Sequence, residues 1–202
     1  MINKMNSNLL HELKEHIPFT ALATVVSVLV SFFIMKANLI TSLIPIFYIF
    51  HPIHLFFSAI VSTALFYKYK KNIFLSIMVG MFISMIIGSI SDVFFPYLGS
   101  LLFKIPISFH LPALESPALI IGATFLGALI GIFFKKTKFP HFFHVFISVF
   151  ASLFYIFAYS TAFSLLNLFF IVIITTISVV VPCCLGDIIL PLLFKDKLEK
   201  KK

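Results

Sequence analysis

Charged residues are scarce in this chain, making up 11 per cent of 202 residues against 61 per cent hydrophobic, with 28 phenylalanines. That scarcity excludes a soluble globule, whose interior is too small to hide so much apolar surface; lipid has to solvate much of it. The net charge of +8 does not imply a nucleic-acid partner. Its lysines lie in short clusters at the ends of apolar runs, where cytoplasmic loops carry them. Cysteine is nearly absent too: Cys183 and Cys184 are adjacent, so they cannot close an ordinary disulfide, and packing, metal or redox roles stay open. No nucleotide-binding loop occurs, so an ATP-driven role would need a partner chain. The motif HELKEH has the wrong spacing for the zinc-protease pattern HExxH, and His11 and His16 read as surface residues. Residues 1–17 lack the apolar stretch and cleavage site of a signal peptide. With Leu9, Leu10 and Leu13 beside Lys14 and Glu15, they read as a cytoplasmic amphipathic helix lying on the membrane.

Apolar runs follow at lengths suited to crossing a bilayer. The expected spans are Pro18–Met35, Tyr48–Tyr67, Ile73–Phe103, Pro117–Phe134, His141–Phe163, and a last one ending at Phe194 before a lysine-rich tail, 195–202. Six spans put both termini in the cytoplasm, with thirteen of the fifteen lysines inside and only Lys36 and Lys104 outside. The third run holds 31 residues. A crossing needs about 20, so the run is too long for one straight helix. Pro96 within it, and Pro182 and Pro191 in the sixth region, predict kinked or broken helices. Gly80, Gly88, Gly122, Gly127 and Gly131 are expected to serve close helix packing rather than chemistry.

The two halves resemble each other. His51, His54, Ser58 and Ser62 in the second span have the same spacing as His141, His144, Ser148 and Ser152 in the fifth. Asp92 precedes Pro96 by four residues, as Asp187 precedes Pro191; Pro18 precedes Lys36 by 18, as Pro117 precedes Lys135. The three matches are colinear, with offsets of 99 for the Pro–Lys pairs, 90 for the His motif and 95 for the Asp–Pro pairs. Three spans per half mean that the second half enters the membrane upside down. The expected fold is therefore all-α and polytopic, with six transmembrane helices as a 3+3 inverted repeat. The first repeat covers 18–104, an outer loop 105–116, and the inverted repeat 117–194. Secondary transporters use this architecture, with sites at the repeat interface and discontinuous helices.

Ionisable groups inside a membrane cost about 2.5–3.5 kcal/mol each on insertion scales, so those retained point to function. His51, His54, Asp92, His141, His144 and Asp187 are the candidates for binding a metal or substrate. Residues three and four apart share a helix face, so each histidine pair heads a polar stripe that includes Ser58 or Ser148. Paired imidazoles with a carboxylate suit zinc, iron, manganese or cobalt. Pro52 and Pro140 are expected in the first turns of their helices, which places each pair at a positive helix end. That end favours neutral imidazole but also welcomes an anion, so an anionic or proton-coupled solute is the competing cargo. The first-half cluster is expected toward the outside, where His110 and Glu115 could join it. The second-half cluster is expected toward the cytoplasm, near the thiols of Cys183 and Cys184, which favour zinc or copper.

These features imply a small secondary transporter or permease of the cytoplasmic membrane. It would carry a divalent transition metal, be proton-coupled through the histidines and Asp92 or Asp187, and work as a homodimer. The alternatives are a metal-dependent membrane hydrolase, whose ligands from both halves have to converge on one centre, and a substrate-capture subunit of a larger machine.

Overall fold

The computed structural model of the chain describes residues 22–30, 33, 42–134, 138–161 and 165–184. Among the described residues the chain is all-helical, with one isolated bridge between Ile107 and Ser160. The elements are α1 (residues 22–30), α2 (Ile44–Tyr69), α3 (Ile73–Ser89), α4 (Phe95–Leu102), α5 (Pro112–Glu115), α6 (Pro117–Gly131), α7 (Lys138–Tyr159) and α8 (Leu165–Val179). Two π-helical turns, Ile90–Phe94 and Val180–Cys184, follow α3 and α8. Among the described residues two helices are long and apolar enough to cross a membrane, Ile44–Lys68 and Ile73–Leu102, and three shorter apolar helices accompany them. The expected helix at 1–17 and the tail at 195–202 lie outside the described residues.

Local sequence sets the helix boundaries. Pro45 occupies the first turn of α2, where its missing N–H costs nothing. The Asn72 side chain caps α3 by accepting from the Leu75 N–H at 2.9 Å. Pro52, expected in the first turn of its helix, lies inside α2, because the apolar run upstream carries the helix back to Ile44. His51 and His54 are therefore mid-helix residues, and the helix-end argument does not apply to them. For α7, which begins at Lys138, Pro140 does fall in the first turn.

The third region, expected to kink or break at Pro96, remains helical and widens into the π-helical turn Ile90–Phe94 just ahead of that proline. The Phe95 N–H reaches back five residues to the Ile90 carbonyl. An extra residue in the turn accommodates the proline ring, which cannot donate and would crowd the carbonyl four residues before it. The sixth region also carries a π-helical turn, Val180–Cys184, but with Pro182 inside it rather than beyond it; Pro191 lies outside the described residues.

Helix α2 is the hub, packed against α3, α6 and α7. Its contact with α6 is a backbone approach. A Cβ on Gly127 would lie 2.2 Å from the Phe56 carbonyl oxygen, and one on Gly131 2.7 Å from that of Ile60, the small-residue device of helices packed in lipid. Gly122, expected to share this role, has nothing within 4 Å of its Cβ position.

Aromatic pairs show how α2 meets α7. Phe47 meets Tyr155 and Tyr159, Phe50 stacks on Phe150, His54 meets His144, and Phe57 stacks on Phe143. The numbers rise on one helix as they fall on the other, so the pair is antiparallel. Helix α1 buries Ala23 and Val28 against residues of α7 and α8, among them Val145, Val149, Leu153 and Ile171. The packing interlocks: α1 lies on α7 and α8, while α6 lies on α2 and α3. Phe74, Phe82 and Phe133 face outward from the bundle.

Candidate metal centre

Asp92 sits in the first π-helical turn, fully buried beside the middle of α2. Its Oδ2 lies 2.8 Å from His51 Nδ1 and 2.6 Å from His54 Nδ1. Its Oδ1 accepts from Ser91 Oγ at 2.8 Å and from Ser148 Oγ at 2.9 Å. A carboxylate oxygen only accepts, so each Nδ1 carries a hydrogen, and in the neutral form of each ring Nε2 keeps its lone pair. Four donors fill the lone-pair directions of the carboxylate, which is how a charge with no solvent contact is tolerated.

The turn itself supplies one of these connections. Because the Phe95 N–H has gone to Ile90, the Ser91 carbonyl loses its α-helical donor, and Pro96, the π-helical alternative, has no N–H to offer. Ser152 on α7 donates to that carbonyl at 2.9 Å. Pro96 thus creates an acceptor that the second half of the chain fills.

On the other side of His54, Nε2 lies 3.8 Å from Cys183 Sγ, and the His54 ring centroid is 4.5 Å from that of His144. Cys183 Sγ is also 3.5 Å from Ser148 Oγ. Two groups of ligand-type atoms result, His51–His54–Asp92 and His54–His144–Cys183. The groups share His54; all five residues are buried, and within each group the atoms lie within 4.8 Å of one another. His51 Nε2 is buried with no hydrogen-bond partner, and the ring stacks on Phe47 at 5.4 Å.

The two histidine clusters were expected at opposite depths. Instead His54 and His144 touch, because α2 and α7 cross antiparallel at those residues. His141 lies in α7 and Cys184 ends the second π-helical turn, but their side chains, like Asp187, lie outside the described residues. Ser58 is buried without a hydrogen-bond partner.

His110 and Glu115 do not join the first-half cluster. They form a separate group at the end of the bundle where the 105–116 loop is stitched to the end of α7 by Ser108 N–H to the Tyr159 carbonyl (3.1 Å). His110 Nδ1 is 3.0 Å from Glu115 Oε1, its backbone N–H donates to Tyr155, and its ring stacks on Tyr159. The Tyr48 hydroxyl donates to Glu115 Oε2. That hydrogen bond holds the Glu115 carboxyl below its usual range, with burial opposing and His110 assisting. Phe47, fully buried, separates this group from the centre, stacking on His51 and meeting Tyr155 and Tyr159 edge-on. Sequence reasoning missed Ser91, whose only signal is its position next to Asp92, and missed the Tyr48–Glu115 contact, which has none.

Comparison with protein-family models, with curated proteins and with solved structures gave no match.

Proposed function

We propose that this chain is a small polytopic transporter of the cytoplasmic membrane, built as a 3+3 inverted repeat, that carries a divalent transition-metal ion through the centre shared by its halves. The observation that carries this reading is the contact between His54 and His144. They are mates in the 90-residue offset of the sequence motif. In a two-fold arrangement a residue touches its own mate only where it lies on the axis. The two π-helical turns, Ile90–Phe94 and Val180–Cys184, obey the same offset of 90 and also pack against each other. Reciprocal packing of α1 and α6 on the opposite halves has the same symmetry. A binding centre at the junction of inverted halves, beside interrupted helices, is the arrangement that alternating access uses.

Antiparallel α2 and α7 also put Lys68, Lys70, Lys71 and Lys138 at one end, which we assign to the cytoplasm. Convergence on one centre also meets the requirement of the metal-dependent hydrolase reading, and flux separates the two. Purified protein in liposomes loaded with a metal-sensitive dye is expected to pass zinc, manganese or cobalt down a gradient, and the His54→Ala and His144→Ala variants to lose that flux. Metal binding without flux, from protein inserted in either orientation, overturns the transport reading and leaves the enzyme.

A further inference from the structure

We infer that the ion is held by His54 Nε2, His144 and Cys183, that Asp92 orients rather than ligates, and that the cargo is therefore a thiophilic divalent ion of the zinc class. The assignment rests on the transport reading only in calling that ion cargo.

Of the two candidate groups, His51–His54–Asp92 is poorly suited to a cation. Both imidazoles turn their Nδ1–H toward the same Asp92 oxygen, at 2.8 and 2.6 Å, so no nitrogen lone pair faces the carboxylate. The other carboxylate oxygen is taken by Ser91 and Ser148. Seating a metal there would require two tautomer changes and the loss of both histidine hydrogen bonds to Oδ2.

The second group needs neither change. Asp92 on Nδ1 fixes the tautomer that leaves His54 Nε2 bare and directed toward Cys183, 3.8 Å away. A carboxylate behind an imidazole in this way is the usual support of a metal-ligating histidine. His144 and Cys183 complete a set of two nitrogens and one sulfur within 4.8 Å of one another. Coordination at bonds of about 2.0–2.3 Å requires the ligand atoms to draw together, and tetrahedral geometry leaves a fourth position for an entering or leaving ligand. Thiolate with imidazole selects zinc and its heavier congener cadmium over manganese or magnesium, which prefer oxygen. A thiolate and the Asp92 carboxylate together offset a double positive charge, which a dry site has to do.

The test uses cobalt(II) as a spectroscopic probe on the full-length protein in detergent. Wild type and Cys184→Ala are expected to show a near-ultraviolet thiolate-to-cobalt charge-transfer band that Cys183→Ser lacks. Cys183→Ser is also expected to lose at least tenfold in cadmium affinity while manganese binding changes little. Asp92→Asn is expected to weaken cobalt binding about 10–100-fold, and to have no further effect in a His54→Ala background, because Asp92 acts through His54. Cobalt binding without the band, or a band that survives Cys183→Ser, overturns the thiolate assignment and leaves the transport reading standing. Additive losses in the double variant would make Asp92 a ligand. Absence of any cobalt binding overturns this assignment and the metal reading together.

Discussion

The two halves of the chain carry matching serines in unequal circumstances. Ser148 and Ser152 on α7 donate to Asp92 and to the Ser91 carbonyl, gripping the first π-helical turn. Their mates on α2, Ser58 and Ser62, are just as buried, yet their hydroxyls have no hydrogen-bond partner. In the 90-residue register the position of Asp92 is taken in the second half by Pro182, and that of Val93 by Cys183. One half therefore brings a carboxylate to the centre and the other a thiol. In the proposed transporter, symmetry of pattern with asymmetry of chemistry would let a single centre form on the axis of the repeat, with one half orienting a histidine and the other ligating the ion.

Removing the carboxylate breaks that arrangement most severely. Asp92→Ala would strand two buried imidazole N–H groups and two hydroxyls, a loss in the class of about 3–5 kcal/mol for an orphaned buried pair. Denaturant titration of the purified protein should show it as less stable than the serine variants at the same centre; stability near wild type would mean that the four hydrogen bonds contribute little.

Next come the two serines that grip the turn. Ser148→Ala removes a hydrogen bond to a charged acceptor and is expected to cost about 1.5–3 kcal/mol. Ser152→Ala removes a neutral interhelical bond, worth about 0.6 kcal/mol on average within membranes, and leaves the Ser91 carbonyl without its donor. The same titration ranks them, and an equal or reversed order would show that Asp92 does not dominate this contact.

Much of the centre was legible beforehand. His51, His54, Asp92 and His144 stand out because ionisable groups in apolar helices are costly, and the repeat singled out Ser148. The convergence was not legible. Pro52 and Pro45 both satisfy the rule for a first helical turn, and choosing Pro52 shifted the histidines to a helix end and the clusters to opposite depths. The offset of 95 between the Asp–Pro pairs pointed to Asp187 as the mate of Asp92, whereas the π-helical turns follow the offset of 90.

The exposed His110–Glu115 pair sets the scale for the buried one. Glu115 has a folded pKa below its ordinary value, near about 4.3 for a free glutamate. The folded state thus binds fewer protons than the unfolded one in that range. The resulting stability is present above the ordinary value and is lost as pH falls through the folded one. With the side chain 39 % exposed, the effect should stay within the about 0–1 kcal/mol of surface pairs. Tyr48→Phe, which removes the largest cause, should flatten the acid limb of the stability–pH curve; an unchanged limb would assign it to other carboxylates.

The smallest effect tests the comparison most sharply. Ser58→Ala and Ser62→Ala remove hydroxyls that bond to nothing among the described residues, so each should change stability by less than about 0.5 kcal/mol or raise it, since a buried unsatisfied group carries a desolvation cost. Opposite behaviour of mates, with loss at Ser148 and Ser152 and none at Ser58 and Ser62, is what a duplicated bundle held in one of two arrangements related by a pseudo-two-fold axis would predict. If the chain is a transporter that exchanges between such arrangements, Ser62 would meet the carbonyl of Val181, the mate of Ser91, in the other one. Ser62→Ala would then favour the present arrangement and slow exchange, while Ser152→Ala would favour the alternative one. Measuring the reactivity of Cys183 toward a membrane-impermeant thiol reagent from each side of the liposome, in a Cys184→Ala background, reads that balance. Shifts of the same sign for both serines would mean that the symmetry stops at the packing and does not extend to motion.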